Sequence, residues 1–379
     1  MKIVIDQKIP FIKGVLEQKA EIKYLPGDKI NAAAVKDADA LIIRTRTRCD
    51  KNLLEGSKVS FIASATIGFD HIDTAYCKKA GIYWTNAPGC NSSSVEQYIV
   101  SVLLYFAQMN EIDLKKTTVG IVGLGNVGTK VKRALNALGC NCLVNDPPRE
   151  KEEGSDGYTD LKDLLSQSDI VSLHVPLTSS GPYSTEKMAD RDFFESMKKG
   201  ACFINSSRGE VVDEDALKEA IRSDKLGEVA LDVYRNEPHV DQGLLAMLSI
   251  ATPHIAGYSS DGKANGTEMS VQSVSRYFKL GMDDWKVKNI PQAGDKELLM
   301  DLSEGEFLDI LSEVYSRTYQ VMEDHDRFMD AMDQFEKLRG NYRVRREASA
   351  YRLRLFNDDG LYRKVFEGLG FEVLADSCM

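Results

Sequence analysis

The chain has 379 residues, 43% of them hydrophobic and 28% charged, and a formal net charge of -10. That composition excludes collagen-like, fibrous and broadly disordered classes, and the length predicts two or three domains. The excess of carboxylates also excludes extended binding along a nucleic-acid backbone, so an anionic ligand has to be met by a local basic cluster.

The opening MKIVIDQKIPF is too polar for a secretory signal, and no stretch reaches the roughly 18 apolar residues of a membrane span. Neither a membrane nor a nucleic-acid partner is expected. Short apolar runs then predict strands at KIVID (2–6), EIKYL (21–25), DALIIR (39–44), SFIASAT (60–66) and GIYWTN (81–86). Amphipathic segments such as NAAAVKDA and HIDTAYCKKA separate them, the pattern of a parallel α/β sheet. One strand runs into LIIRTRTRCD, which puts Arg44, Arg46 and Arg48 close together in an acidic protein. In an extended chain the three arginines share one face, so at least one is expected to be solvated.

A long apolar helix is predicted over SSSVEQYIVSVLLYFAQMN, with serines 92–94 as cap candidates. From Thr117 a second strand and helix series begins: TTVGIVG, CNCLVND, DIVSLHV, ACFINSS, EVALDV and IATPHI. Residues 258–285 read as helix packing back on the first domain, and NIPQAG (289–294) as a linker. Beyond it, Phe307, Ile310, Leu311, Val314 and Tyr315 have helical spacing, followed by a charged helix, strand-like YRLRLF, a helix LYRKVFEGL and a strand FEVL. The expected fold is α/β: two Rossmann-like doubly wound parallel-sheet domains plus a C-terminal α+β dimerisation module. Residues 1–92 with 258–288 are assigned to substrate, 93–257 to a dinucleotide and 289–379 to homodimer formation. Cysteines 49, 77, 90, 140, 142, 202 and 378 are scattered without a CxxC pair, which reads as reduced thiols in a cytoplasmic protein with no metal site.

GLGNVG, Gly123 to Gly128, directly follows one predicted strand and opens a helix. Gly123 permits the tight turn, Gly125 lets the backbone approach a pyrophosphate, and Gly128 allows close helix packing. Asp146 closes the next strand, eighteen residues past Gly128, where a carboxylate accepts from a ribose diol and repels a 2'-phosphate. NAD is therefore expected over NADP, against the contrary hint of Arg149. An ordinary glycine turn with a capping aspartate is the bland alternative.

Three more strand ends carry polar groups: Arg208 in NSSRGEVVDEDAL, Glu237 in LDVYRNEP and His254 in TPHIAGYS. Hydride transfer from a hydroxy acid needs a base for the hydroxyl proton, a cation for the carboxylate and a group that holds the base. Taken singly, the three read as a surface guanidinium, a solvated carboxylate and a core histidine. Their shared position at the carboxyl ends of strands favours chemistry.

GLGNVG with Asp146, HVPLT, NSSRGEVVDEDAL, LDVYRNEP and TPHIAGYS, in that order and spacing, resemble the D-2-hydroxyacid dehydrogenase superfamily. The resemblance implies that Arg208 orients the substrate carboxylate, that His254 is the acid/base, and that Glu237 partners His254 and favours its protonated form. It implies cofactor contacts at Asn126, Val127, Val175, Ser206, Ser207, Asp232 and Gly257. It further implies substrate contacts at Thr45, Tyr258 and the carboxylate loop Thr66, Ile67 and Gly68, where Ile67 departs from the usual smaller residue. PLTSSGPYSTEKMAD, NDPPR and HIAGYSSDGKANGT, with the extra C-terminal segment, narrow the resemblance to members acting on 4-phospho-D-erythronate in vitamin B6 synthesis. Arg44 is then the expected phosphate ligand, alone or with Arg46, because a guanidinium fork matches phosphate oxygens. A dehydrogenase for 3-phosphoglycerate or another D-2-hydroxy acid, and a non-catalytic NAD-sensing protein, are the alternatives.

Overall fold

The computed structural model describes residues 1–303, 305–358 and 360–374. They form two compact units: Met1–Asn91 with Ser259–Pro291, and Ser92–Tyr258 with the described residues from Gln292 onward.

In the first unit β1 (Lys2–Asp6), β2 (Glu21–Leu25), β3 (Ala40–Ile43), β4 (Phe61–Ser64) and β5 (Tyr83–Thr85) make one parallel sheet in the order β2-β1-β3-β4-β5. The unbroken apolar runs of β3 and β4 follow from burial on both faces. Ile3, Ile5, Ile42 and Phe61 pack toward Val271 and Val274 of the helix Ser260–Phe278, while Val4, Leu41 and Ile62 pack toward Val35, Leu53 and Cys77. The strand order reverses between β1 and β3, which leaves a crevice at their carboxyl ends, at Asp6 and Arg44.

In the second unit β6 (Thr118–Val122), β7 (Asn141–Asn145), β8 (Ile170–Leu173), β9 (Ala201–Asn205), β10 (Leu226–Leu231) and β11 (Ile250–Ala251) form a parallel sheet in the order β11-β10-β9-β8-β6-β7. Its order reverses between β6 and β8, directly below the glycine-rich loop. The helix Ser92–Met109 is buried almost all round, packed on the helices Asn126–Ala137 and Phe307–Thr318. Among the described residues no helix is long and apolar enough to cross a membrane.

The C-terminal segment adds a three-stranded parallel sheet, β12 (Glu297–Asp301), β13 (Arg352–Phe356) and β14 (Glu372–Val373). Sequence reading missed β12. ELLMD buries only Leu298 and Met300, too short an alternation to stand out, and its partner β13 lies far downstream. Leu298, Ile310, Leu311, Leu353 and Phe366 belong to the same apolar core as Val95, Ile99 and Leu135, so this segment is built onto the nucleotide-binding half.

Cys49, Cys77, Cys140, Cys142 and Cys202 form no disulfide, and burial pushes the Cys49 and Cys140 thiols up to about 12, which fits core packing. Cys378 lies outside the described residues. Among those residues no group of His, Cys, Asp and Glu is placed to hold a metal ion.

Candidate active site

The glycine-rich loop is closed by contact between its own ends. Gly123 turns with φ 93°, and a Cβ on Gly128 would lie 2.0 Å from the Gly123 carbonyl oxygen, so only glycine lets the helix start this close to β6. A Cβ on Gly125 would meet nothing within 4 Å, so the backbone there stays approachable at the helix N-terminus, with Asn126 and Val127 in the first turn, where an anion is favoured. Asp146 ends β7 and accepts from Leu124 N (2.7 Å) and Arg149 N (3.1 Å), which ties the loop to the next strand. Each carboxylate oxygen has a second acceptor position for a ribose hydroxyl. Arg149 folds back onto the Leu124 carbonyl and pairs with Glu153. Val175 stands against Gly123. The hydroxyl of Ser206, just past β9, is buried without a protein partner, as expected for a group that meets a ligand. These residues fit a bound NAD.

At the end of β10, Asp232 is 1% exposed. It accepts from Thr252 Oγ1 (2.6 Å), Ile255 N (2.7 Å) and Ala256 N (2.9 Å), so its carboxylate buckles the turn that carries His254. Burial pushes Asp232 up to about 6 against these hydrogen bonds and the His254 charge, which lower it. Tyr98 reaches the same turn through Thr252 (2.9 Å). The backbone of His254 is left-handed, φ 56°, an uncommon state for a non-glycine residue that the surrounding bonds impose.

That turn places His254 Nδ1 2.7 Å from Glu237 Oε2. The other Glu237 oxygen accepts from Tyr234 N at 3.0 Å, and Glu237 joins Pro238 through a cis peptide. With Nδ1 engaged, the opposite nitrogen of the ring, Nε2, is the one that can act on a substrate. Arg208 follows β9 in a turn organised by Asn205, which accepts from Ser207 N (2.9 Å) and Ser207 Oγ (2.7 Å) and donates to the Arg208 carbonyl (2.9 Å). A Cβ on Gly209 would sit 2.0 Å from the Tyr234 carbonyl carbon. This close approach lets the Arg208 turn and the Tyr234 to Glu237 loop share one cleft of about 160 Å³, lined by Arg208, Gly209, Tyr234, Glu237 and His254 among others. Sequence reading did not single out Asn205, Gly209 or Thr252. Asn205 alone left a trace, as a polar residue closing an otherwise apolar strand. Gly257 follows the buckled turn, and Tyr258 packs edge-on to Tyr342 (5.9 Å) beneath the Arg339 guanidinium.

In the first unit, Arg44 Nε donates to the fully buried Asp6 carboxylate at 3.0 Å, at the sheet's reversal point. The arginines do not lie on one extended face as expected. Thr47 N bonds the Arg44 carbonyl (3.1 Å), so the chain turns there, with Thr45 and Arg46 exposed at its corner. Arg48 is solvated too, its side chain 85% exposed beside Asp50. In the carboxylate loop the three carbonyls are taken up within the unit, Thr66 by Ala87 N, Ile67 by Asn86 Nδ2 and Gly68 by Thr66 Oγ1.

A dinucleotide fold whose strand ends gather a histidine–carboxylate pair and an arginine defines the class of NAD-dependent dehydrogenases, and comparison with known proteins narrows it. Residues 104–256 match the family model for the D-isomer specific 2-hydroxyacid dehydrogenase NAD binding domain. The chain is similar to the erythronate-4-phosphate dehydrogenase of Bacteroides fragilis, 48% identical across 93% of this chain and 99% of that one. That of Chromohalobacter salexigens is 39% identical over the full length of both. Among solved structures, the D-lactate dehydrogenase of Aquifex aeolicus in complex with NAD and lactic acid shares 27% identity at a TM-score of 0.62, covering 74% of this chain and 96% of that one. The chain belongs to the erythronate-4-phosphate dehydrogenase family of D-isomer-specific 2-hydroxyacid dehydrogenases and is an NAD-dependent oxidoreductase.

Proposed function

We propose that the protein oxidises the C2 hydroxyl of 4-phospho-D-erythronate to 2-oxo-3-hydroxy-4-phosphobutanoate, a step toward pyridoxal 5'-phosphate. The observation that carries this reading is the His254–Glu237 pair opening into the same cleft as Arg208. Arg208 binds the carboxylate beside C2 and orients the hydroxyl. His254 Nε2 takes the hydroxyl proton as the carbonyl forms, while Glu237 holds the Nδ1 proton and stabilises the imidazolium. Bound NAD would supply the hydride acceptor for C2; Asp146 would hold its ribose diol, the first turn after Gly125 its pyrophosphate, and Val175, Ser206 and Ser207 its nicotinamide side.

Further substrate contacts are assigned to residues of the first unit. Arg44, steadied by Asp6, binds the 4-phosphate, Thr45 adds a hydroxyl donor, and the N–H groups of residues 66–68 meet the carboxylate. Tyr258 contributes a further substrate contact. Residues 289–379 act as a dimerisation module. Leu299 and Phe356, exposed on the three-stranded sheet, support a self-complementary pairing face. Buried thiols outside any disulfide at Cys49, Cys77, Cys140 and Cys202 support a cytoplasmic location.

The test is NAD reduction at 340 nm with 4-phospho-D-erythronate, 3-phosphoglycerate and unphosphorylated D-erythronate. Activity confined to the first and lost in His254→Ala is expected. A preference for phosphoglycerate overturns the substrate, and silence on all three with NAD still bound overturns catalysis. A Leu299→Glu variant that remains dimeric by light scattering overturns the pairing face.

A further inference from the structure

The turn that carries His254 is held from two sides, and only one of them belongs to the nucleotide-binding sheet. Asp232 grips the backbone N–H groups of Ile255 and Ala256 from β10. On the other side the Ala256 carbonyl accepts from Arg345 Nη1 at 3.2 Å. Arg345 comes from the C-terminal segment, far along the chain, and is 3% exposed. Two more of its donors go to the start of the helix Ser92–Met109, at the Ser94 carbonyl (2.6 Å) and Gln97 Oε1 (3.1 Å), and the guanidinium also bonds the Tyr342 side chain. Its guanidinium lies 3.5 Å from the centre of the Tyr319 ring. Two residues on, Glu347 accepts from Ser94 Oγ at 2.7 Å, which pins the same helix start a second time.

A buried cation bonded to neutral dipoles and a ring, with the buried Asp324 carboxylate attracting it, is still a costly way to fill space, since an apolar side chain of similar volume packs there without desolvating a charge. What an apolar residue cannot supply is direction. The planar fork fixes three acceptors at set angles: the catalytic turn, the helix backbone and a helix side chain. The turn needs such a constraint, because His254 sits in a left-handed conformation that relaxes unless its neighbours over-determine it.

We infer that Arg345 is a positioning residue for the proton-transfer step: by fixing the Ala256 carbonyl it holds the His254 turn, and through it the alignment of His254 Nδ1 on Glu237. The C-terminal segment is thereby part of the catalytic apparatus. The inference rests on the assignment of His254 as the acid/base, and the experiment separates the two.

The full-length variants Arg345→Met, Arg345→Lys and Gln97→Met are compared with wild type in two ways. The first is kcat and KM for NAD reduction with 4-phospho-D-erythronate across pH. The second is titration of the His254 ring by 15N NMR in histidine-labelled protein, where the five histidines allow assignment through His254→Gln. In Arg345→Met, kcat is expected to fall at least tenfold with KM for NAD within twofold, and both the pH profile and the His254 titration should move. Arg345→Lys keeps charge without the fork and is expected to restore only part of the loss. Gln97→Met removes one acceptor and leaves every charge in place, and should shift the titration in the same direction by less. If activity falls only with the folded fraction while profile and titration stay at wild-type values, Arg345 is a structural anchor and the inference is wrong. Should Arg345→Met not fold, an unmoved titration in Gln97→Met overturns it equally. A shifted titration in a protein that reduces no NAD would sustain the positioning role and overturn the functional reading instead.

Discussion

Replacing Glu237 with Gln tests how His254, the proposed acid/base, is held. The carboxylate makes two bonds, Oε2 to His254 Nδ1 at 2.7 Å and Oε1 from Tyr234 N at 3.0 Å. A glutamine keeps the second by presenting its carbonyl oxygen to Tyr234 N, and so turns its amide N–H toward Nδ1. Nδ1 must then accept, the ring proton moves to Nε2, and the nitrogen facing the cleft has no lone pair to take the hydroxyl proton. A hydrogen bond to a charged group contributes about 1.5–3 kcal/mol, and its loss from the transition state corresponds to roughly a 10- to 150-fold fall in kcat. The assay is steady-state NAD reduction, with NAD affinity measured separately by quenching of protein fluorescence. The expected result is a fall in kcat of at least tenfold with unchanged NAD affinity, and a larger loss than in Glu237→Ala, which leaves either tautomer accessible. A Glu237→Gln enzyme within threefold of wild type would refute the reasoning.

Three further substitutions probe other parts of the molecule. Gly128→Ala drives a methyl group into the Gly123 carbonyl, 2.0 Å away, and overpacking of this kind costs about 1–3 kcal/mol, so KM for NAD should rise by roughly 5- to 150-fold; an unaltered KM would show that the loop yields without cost. Arg44→Ala should lower kcat/KM for phosphorylated relative to unphosphorylated erythronate by roughly 10- to 150-fold, and an unchanged ratio removes Arg44 from the phosphate site. Because that change also strands the buried Asp6, Arg44→Ala with Asp6→Asn is the control for stability. Glu96 lies buried beside Arg133, and burial, outweighing that pairing, pushes its carboxyl up to about 7 from 4.5. The folded state therefore binds the proton more tightly than the unfolded chain, and stability falls as pH rises from about 4.5 to 7. At 1.36 kcal/mol per unit, Glu96→Gln should gain about 3 kcal/mol on wild type between pH 5 and 8, read from urea midpoints, and parallel pH dependences would refute this.

Local pattern alone determined a good deal. The apolar runs named ten of the first eleven strands closely and β11 in part, because strands buried on both faces are written as continuous Val, Ile, Leu and Ala. The glycine spacing marked the dinucleotide loop, since Gly128 answers to the Gly123 carbonyl five residues away and Gly123 to its own positive φ. Arg208, Glu237 and His254 were legible because each closes or follows a recognisable strand. What only the tertiary structure decided are relations between distant segments. Gly209 looks like any loop glycine until the Tyr234 backbone is brought against it. The arginine cluster reads as an extended stripe until the chain turns at Arg44 to meet Asp6. β12 has too short an alternation to be seen without its partner, and Arg345, one basic residue in YRVRRE, becomes a clamp on the His254 turn only when the C-terminal segment folds into the core. Side-chain periodicity is set within a turn or a strand and is written locally, whereas a hydrogen bond or close approach across tens of residues depends on packing that no local window contains.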